Sequence, residues 1–458
     1  MKRLAPIVAL MLAGCAVHSP PPPDELRKQA LPNTAIPPAW TTPGAATGDV
    51  TQAWLATFND PALEALVREA VTYNYDLQIA AARVEAAEAA ARAAGAALLP
   101  QLNLAARGGG KMGGDNSGLN VLGLFASWEL DLWGRVRSAR AASSAQYEAA
   151  ALDAQYARQS IAALVAKSWF LAREAAVQGV IAAEMVASSQ SLVGLSRDRQ
   201  RVGNGDDLEV STAEASVLGY RDLVLQADVA RQNALRAVEI LAGRYPSAHI
   251  DAGRDLPLIA TPIPAGLPSQ LLERRPDVRA AERRVAASFY AKQEAQAARL
   301  PRISLTGGVN TVSSELIFLK PRDNPVWSVG ASLLAPIFTG GALQAQVDIR
   351  TAEQKAAIAD YGRIGSRAFS EVENALSASI NLQSRAEILT SAVTANENAL
   401  GFARVRYDVG SGDQRGVQQQ LLALHATRTS LARVQSERLV QRVNLYLALG
   451  GDFAPTEH

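Results

Sequence analysis

The chain has few of the residues from which most enzyme and metal sites are built. Its 458 residues include one cysteine, four histidines and 5% aromatic residues. A single cysteine excludes a disulfide framework and a CxxC metal or redox site. The histidines are scattered (His18, His249, His425 and His458), and none lies in an HExxH-type zinc motif. No catalytic constellation is visible either, so we expect a protein that is not an enzyme and binds no cofactor or metal.

An excess of charge and long apolar runs are also missing. Lys and Arg (45) balance Asp and Glu (44), which leaves no basic field for general nucleic-acid binding. No uninterrupted apolar run reaches the roughly 18 residues of a spanning helix, so the sequence does not predict an ordinary helical membrane protein. Alanine is abundant where aromatic residues are rare, which suits long and closely packed helices.

The N-terminus has the pattern of a secretory signal. Lys2-Arg3 is followed by a short apolar region that ends in Leu12-Ala13-Gly14-Cys15, which resembles a bacterial lipobox. We expect residues 1–14 to be a lipoprotein signal peptide and Cys15 to carry the lipid. The alternative is a simple signal peptide with an incidental cysteine. Because Ala16 follows, and not the aspartate of inner-membrane lipoproteins, the outer membrane is the expected location.

The segment after the cysteine is rich in proline. It includes Pro20 to Pro23 and extends to about residue 48. Proline-rich segments favour extended chain. Residues 15–48 are therefore predicted to be an extended tether, held at the membrane by a triacylated cysteine whose several chains suffice for stable anchoring.

An internal repeat is the most informative feature of the sequence. Asp76 recurs as Asp277, and Leu99-Pro100 recurs as Leu300-Pro301, at one offset of about 201 residues. The turn 202–206 recurs at 409–413, with a slightly larger offset. This series predicts two units of one design. Their expected bounds are 49–245 and 268–453, with a linker at 246–267 and a tail at 454–458.

Each unit has the same predicted order of elements. A helix stopped by Leu-Pro comes first, then a β-hairpin, then a long helical hairpin. The β-hairpins are expected at about 100–131 and 301–336, and the helical hairpins at about 134–243 and 341–449. The first helix of each helical hairpin has roughly 68 residues, which makes a rod of about 100 Å. Rods of this length suit an assembly that spans a compartment better than a single globular core.

Four strands per chain are too few to cross a membrane alone. In lipid, every backbone polar group must be paired, and only helices or closed barrels achieve this. The smallest transmembrane barrels have about eight strands. Two copies would supply eight strands and three copies twelve, and the small inward residues Ser328, Gly330 and Ser332 favour the wider, water-filled option. The alternative is a soluble sheet covered by helices.

Several motifs, in order, resemble the TolC/OprM family of outer-membrane efflux channels, in its lipidated branch. They are Phe58-Asn59-Asp60-Pro61-Ala62-Leu63, Trp128-Glu129-Leu130-Asp131-Leu132-Trp133-Gly134-Arg135, Arg274-Arg275-Pro276-Asp277-Val278, Pro336-Ile337-Phe338-Thr339-Gly340-Gly341, Glu371-Val372-Glu373-Asn374-Ala375-Leu376 and Ala448-Leu449-Gly450-Gly451. The resemblance covers nearly the whole mature chain. It implies an α+β membrane protein: a homotrimer with a twelve-stranded β-barrel in the outer membrane, continued by a periplasmic α-helical barrel.

The same resemblance implies a function and partners. The expected function is a passive conduit for drugs or other small molecules, in a Gram-negative outer membrane. The expected partners are a periplasmic membrane-fusion adaptor, an inner-membrane pump of the RND type and outer-membrane lipid, with no nucleic acid. Two alternatives stay open: a duct for secreted polypeptides and a lipid-anchored periplasmic coiled-coil scaffold. The scaffold would not explain two amphipathic β-hairpins at equivalent places in a repeat.

If the long helices form a tube, the turns between them lie at its membrane-distant end and are candidates for a gate. Threefold symmetry would arrange the acids there in rings that attract cations: Asp206, Asp207, Asp408 and Asp413. Nearby residues are candidates for holding neighbouring helices shut: Arg197, Arg201, Arg404, Arg406 and Tyr407. The turn glycines are candidate adaptor contacts: Gly203, Gly205, Gly410 and Gly412.

Turn chemistry is the alternative explanation for these residues, because Gly, Asn and Asp favour turns and helix N-caps in any protein. Family channels often carry a Leu-Asp pair just inside the last helix, where this chain has Val417-Gln418-Gln419-Gln420. A second acidic ring is therefore not expected, and Asp413 is the best candidate in that half.

Overall fold

A computed structural model describes residues 18–43, 46, 48–107, 120–257, 263–313 and 325–453. Cys15, the expected signal peptide and the C-terminal tail lie outside these residues. The chain divides into two compact units, one of residues 1–34, 80–153 and 277–366 and the other of residues 35–79, 154–276 and 367–458. Each compact unit takes residues from both halves of the sequence repeat.

The first compact unit contains one antiparallel sheet of four strands. These are β1 (Gln101–Arg107), β2 (Asn120–Leu130), β3 (Arg302–Ser313) and β4 (Val326–Leu334), in the order β1-β2-β3-β4. The two sequence hairpins meet between β2 and β3, where Leu124 is opposite Val309. Every residue of β4 is exposed, including Val329 at 96%, so helices of the same chain do not cover this strand.

Two helices precede each β-hairpin, and the second helix of each pair ends shortly before a Leu-Pro pair. Here α2 is Pro61–Tyr73, α3 is Tyr75–Ala96, and their equivalents in the second half are α6 (Pro268–Arg274) and α7 (Pro276–Ala297). Two tryptophans attach β2 and the turn after it to these helix ends. Trp128 Nε1 donates to the Leu98 carbonyl at 2.9 Å, and Trp133 Nε1 donates to the Pro301 carbonyl at 2.7 Å.

The proline-rich segment is not extended throughout, which corrects the expectation of an extended tether. Residues Pro23–Ala30 form helix α1, with proline at its first position, where the missing N–H costs nothing. Leu26 and Leu31 are buried. A Cβ at Gly362 would lie 2.4 Å from the Ala30 carbonyl oxygen, so this segment is packed closely against residue 362.

Four long helices make up the two helical hairpins. Hairpin 1 consists of α4 (Arg135–Arg201) and α5 (Asp207–Leu241), and hairpin 2 consists of α8 (Ala342–Asp408) and α9 (Gln414–Ala448). The first helix has 67 residues and the second 35 in both hairpins, as a duplication requires. Among the described helices, none is both long and apolar enough to cross a membrane.

The second compact unit has a core that we call the hub, built around Asp60, Arg275 and Glu373. Asp60 caps α2 through the Leu63 N–H, accepts a 2.8 Å hydrogen bond from Trp169 Nε1 and forms a 2.8 Å ion pair with Arg173. Arg275, 2% exposed, pairs with Glu371 at 2.8 Å and donates to the Ala448 carbonyl. These bonds join segments that are far apart in the sequence.

Glu373 attaches the N-terminal segment to α8. Its carboxylate accepts hydrogen bonds from the main-chain N–H and the hydroxyl of both Thr41 and Thr42, at 2.6–3.1 Å. Next to them, Trp40 Nε1 lies 3.1 Å from the carbonyl oxygens of Ala265 and Gly266. The segment around residues 40–42 is therefore bonded both to α8 and to the connector between the two halves of the chain.

Candidate functional site

The turns of the two hairpins have the same backbone geometry. Gly203 and Gly410 both have φ of +78°, in the left-handed region that glycine adopts without strain. The Asn204 N–H donates to the Arg199 carbonyl at 2.8 Å, and the Ser411 N–H donates to the Arg406 carbonyl at 2.9 Å. This is the six-to-one bond of a Schellman motif, which ends a helix and reverses the chain.

Gly205 and Gly412 leave little room for a side chain. A Cβ at Gly205 would lie 3.1 Å from the Gln200 main-chain nitrogen, and one at Gly412 would lie 3.0 Å from the Arg406 Cβ. All four predicted turn glycines are therefore explained by the turn itself. Contact of the same four glycines with an adaptor stays a prediction.

Two of the predicted gate acids cap helices. Asp206 Oδ1 accepts from the Glu209 N–H at 2.9 Å, and Asp413 Oδ1 accepts from the Gly416 N–H at 2.8 Å. Turn chemistry thus explains why aspartate is present at both positions. Both side chains also line one cleft of about 280 Å³, together with Glu209, Gln414, Arg415 and Gln418.

Asp207 belongs to hairpin 1 alone, since its Oδ1 accepts a hydrogen bond from Gln200 Nε2. Asp408 is exposed at the end of α8 and lines a second cleft, of about 410 Å³, with Arg404 and Tyr407. The structure therefore brings all four acids to the two hairpin tips. Asp206 and Asp413 line one cleft, Asp408 lines the other, and Asp207 is bonded to Gln200.

Tyr407 is the predicted gate residue that is most deeply buried. Its side chain is 2% exposed and packs in an apolar cluster with Met185, Leu192 and Leu421. Burial raises the pKa of its hydroxyl, while the Ser196 hydroxyl and the Arg199 charge lower it in part. Because Met185 and Leu192 lie on α4, Tyr407 of hairpin 2 is held by hairpin 1.

Arg199, which the sequence did not single out, contacts both hairpins close to their turns. Its guanidinium carbon lies 4.5 Å from the centre of the Tyr407 ring, a cation–π geometry. Its Nη2 also donates to the Asn204 carbonyl at 3.2 Å, which holds the side chain over its own turn. Arg199 thus connects the turn of hairpin 1 with the aromatic ring of hairpin 2.

None of the four arginines predicted to hold neighbouring helices together has the position of Arg199 between the two hairpins. Arg197 pairs with Glu214 and Arg201 with Asp198, both within hairpin 1, and Arg404 and Arg406 are exposed. Helix periodicity contains the signal that distinguishes Arg199. On α4 the buried residues recur at spacings of three and four: Met185, Ser189, Leu192 and Ser196. Position 199 continues this buried face, whereas positions 197 and 201 do not.

Gln414 is the second residue that sequence reasoning missed. It is 2% exposed, and its Nε2 donates to the main-chain oxygen of Glu209 at 2.9 Å, from hairpin 2 to hairpin 1. The same kind of signal was available, because Val417, Leu421 and Leu424 are buried at spacings of three and four and Gln414 precedes them on that face. Arg199 and Gln414 therefore both contact the opposite hairpin at the tips, in addition to the apolar packing of Tyr407 against α4.

Comparison with known proteins identifies the family. Residues 66–244 and 267–451 match the model of the outer membrane efflux protein family. The chain belongs to this family. It is 30% identical to the pyoverdine export outer membrane protein OpmQ of Pseudomonas putida, over 97% of this chain and 96% of OpmQ. It is also 30% identical to the cation efflux system protein CusC of Escherichia coli O6:H1, over 98% of each chain.

Solved structures agree with this assignment. The outer-membrane channel OprN is 29% identical and superposes with a TM-score of 0.85, over 93% of this chain and 99% of OprN. The open state of the MtrE outer-membrane channel of Neisseria gonorrhoeae is 30% identical, with a TM-score of 0.81 over 92% of this chain and 98% of MtrE. The expected fold class is confirmed: the chain has the α+β fold of trimeric outer-membrane channels.

Function and location follow at the level of the family. The chain is an outer-membrane efflux channel of a tripartite system, located in the outer membrane of a Gram-negative bacterium and extending into the periplasm. Channels of this family are passive and work as trimers with adaptors and inner-membrane pumps.

Proposed function

We propose that three copies of this chain form the exit duct of a tripartite pump for drugs or other small molecules. The observation that carries this proposal is the open sheet of four strands. β1 and β4 each have a neighbour on one side only within the described sheet, and large apolar residues stand exposed on it, among them Leu104 at 70% and Trp327 at 75%. Joining such edges between copies would pair every strand in a twelve-stranded barrel, as lipid demands.

Small molecules are the proposed cargo, and relatives of different specificity support this. The names of two relatives refer to export of pyoverdine and of cations, and another is called a toluene efflux pump outer membrane protein. We expect the inner-membrane pump, proposed to be of the RND type, to select the substrate. Lipid attachment at Cys15 after removal of residues 1–14 is part of the same proposal.

The gate is proposed to lie at the two hairpin tips and to be closed by Arg199 on Tyr407. Separating the hairpins would expose the buried Tyr407 ring and break the cation–π contact, so the closed arrangement is stabilised. Among the acids, Asp408 is the best candidate for a cation-attracting ring because it caps no helix. Asp206 and Asp413 each have one oxygen committed to a cap.

Reconstitution into planar bilayers tests the proposal. The purified chain should give discrete single-channel conductances, and its gene should restore drug resistance to a strain that lacks its own outer-membrane channel. A chain without conductance that still binds the membrane would instead be a lipid-anchored scaffold. Restored secretion of a polypeptide, without restored drug resistance, would identify a protein-secretion duct.

A further inference from the structure

The two tips are built from equivalent positions of the repeat, but they bond differently. Val202 corresponds to Val409, an offset of 207 residues, so Gln200 corresponds to Tyr407 and Asp207 to Gln414. In hairpin 1 these two positions bond to each other, Gln200 to Asp207. In hairpin 2 both positions contact hairpin 1. Hairpin 1 therefore closes on itself, whereas hairpin 2 closes on hairpin 1.

The Gln414 bond exists only while the tips are together. Its amide is 2% exposed, and the 2.9 Å hydrogen bond to the Glu209 carbonyl joins the first turn of α9 to the first turn of α5. If the two first turns moved apart by a few ångströms, the amide would lose this acceptor and gain water. The hydrogen bond can therefore form only when the first turns of α5 and α9 are in contact.

The other end of the same amide is left unsatisfied. Gln414 Oε1 is buried and has no hydrogen-bond partner among the described residues, and the same is true of Gln418 Nε2 and Glu209 Oε2. All three residues line the cleft that contains Asp206 and Asp413. A buried polar atom without a partner is unfavourable, because it has lost water and gained nothing. Opening of the tips would rehydrate these atoms.

One side chain therefore contributes both to closing and to opening. We propose that Gln414 is the latch residue of the periplasmic gate, whose amide N–H holds the tips together while its unpaired oxygen keeps the closed state only weakly favoured. This role rests on the gate proposed above and adds to it a positioning residue outside the acids and arginines. A net contribution of one ordinary hydrogen bond corresponds to a shift of about three- to tenfold in the ratio of open to closed channels.

Replacing the amide by a carboxylate tests the latch without disturbing the helix. In Gln414→Glu the side chain keeps its size, and a negative charge in the first turn suits the helix dipole. At pH 7.5 the carboxylate cannot donate to the Glu209 carbonyl, so single-channel recordings should show open-channel occupancy about three- to tenfold higher than in the unsubstituted protein. Gln414→Met removes donor and unpaired acceptor together and should open the channel less.

Protonation provides a rescue within the same variant. Once protonated, the carboxyl group introduced by Gln414→Glu has an O–H that can donate to the Glu209 carbonyl, and burial raises its pKa above the usual value of about 4.3. Lowering the pH to about 5 should therefore close Gln414→Glu again but not Gln414→Met. The unsubstituted protein at both pH values controls for the other charged groups that line the same cleft, which are Asp206, Glu209, Asp413 and Arg415. Gln190→Glu, at an exposed glutamine of α4, controls for the added charge.

The outcomes distinguish a latch role of Gln414 from a purely structural role, and failure of the latch from failure of the proposed channel function. The latch predicts changed occupancy with an unchanged melting temperature of the trimer, and recovery at low pH. Occupancy equal to that of the unsubstituted protein, or opening of Gln414→Glu that persists at pH about 5, overturns the latch. If Arg199→Ala opens the channel and Gln414→Glu does not, the gate stands and the latch is wrong. Absence of conductance in the unsubstituted protein overturns both.

Discussion

The hub and the hairpin tips lie in the same compact unit, but they differ in how completely their polar side chains are hydrogen-bonded. In the hub, Asp60 has three partners and the Glu373 carboxylate accepts four hydrogen bonds. At the tips, Arg199 Nε, Glu209 Oε2 and Gln414 Oε1 are buried without hydrogen-bond partners among the described residues. A fully satisfied network of buried hydrogen bonds makes one arrangement rigid, whereas a buried polar atom without a partner makes the arrangement that buries it less favourable. The hub is therefore expected to hold its structure while the tips change theirs.

Removing Asp60 should give the largest effect on stability. Asp60→Ala leaves the Trp169 N–H and the buried end of Arg173 without their partner and removes the cap of α2. Loss of one member of a buried ion pair costs about 3–5 kcal/mol. The melting temperature of the detergent-solubilised protein, followed by circular dichroism, should fall by about three to five degrees, because the unfolding entropy of a chain of this length is about 1 kcal/mol per degree. Asp49→Ala, at an exposed aspartate, should melt like the unsubstituted protein.

Removing Glu373 should give a smaller loss of stability, with a defined pH dependence. Partial burial raises the pKa of Glu373, but the hydrogen bonds from Thr42 and Thr41 outweigh it and hold the pKa below its usual range. The stabilisation is therefore present above the unfolded pKa of about 4.3 and is lost as the pH falls through the folded value. Glu373→Ala should melt lower than the unsubstituted protein at pH 7, and the difference should shrink below about pH 4.

The matched control for this prediction is Glu397→Ala, which removes an exposed glutamate from the same helix. If both glutamate variants melt alike at pH 7, the bonds from Thr41 and Thr42 do not stabilise the protein. Proteolysis offers a second measurement, since loss of Glu373 should expose the N-terminal segment to cleavage first.

Arg199→Ala should affect the tips and leave the hub unchanged. It removes the cation–π contact with Tyr407, which is worth about 0.5–2 kcal/mol. Open-channel occupancy should rise about threefold or more with little change in melting temperature. Arg197→Ala should behave like the unsubstituted protein, because Arg197 pairs within hairpin 1. The reverse ranking of the two variants would favour Arg197, one of the four arginines predicted from the sequence, over Arg199.

Asp408→Asn should give the smallest effect. Asp408 is exposed and caps no helix, so stability should not change. Loss of one carboxylate per chain should lower the preference for cations over anions by about twofold, because exposed charges are screened by water and salt. The reversal potential in a salt gradient measures this preference. An unchanged reversal potential would show that Asp408 is not part of a selectivity ring.

The regular elements could be predicted from the sequence because their signals are local. Leu-Pro pairs mark the ends of α3 and α7, proline-free tracts mark α4 and α8, and period-two alternation marks β3 and β4. Their bounds lie within one or two residues of expectation. Helix α1 was missed, because proline at a helix start and proline in extended chain look alike without knowledge of what Leu26 packs against.

The contacts of the hub and the tips could not be predicted with the same ease, because they are long-range. Asp60 and Trp169 are 109 residues apart, and Gln414 and Glu209 are 205 residues apart. Composition pointed to the exposed arginines and acids near the turns, whereas the tips are joined by Arg199 and Gln414, which continue buried helix faces. Reading the buried face of each long helix to its last turn would have found both.

The oligomeric mass of the purified protein tests most directly whether this chain is one third of a pore wall. The account predicts that the detergent-corrected mass is three times that of the 48.4 kDa chain, less its signal peptide, and that the same particles conduct ions in planar bilayers. A stable, non-conducting particle of one chain, with its sheet edges protected from hydrogen exchange, would contradict it.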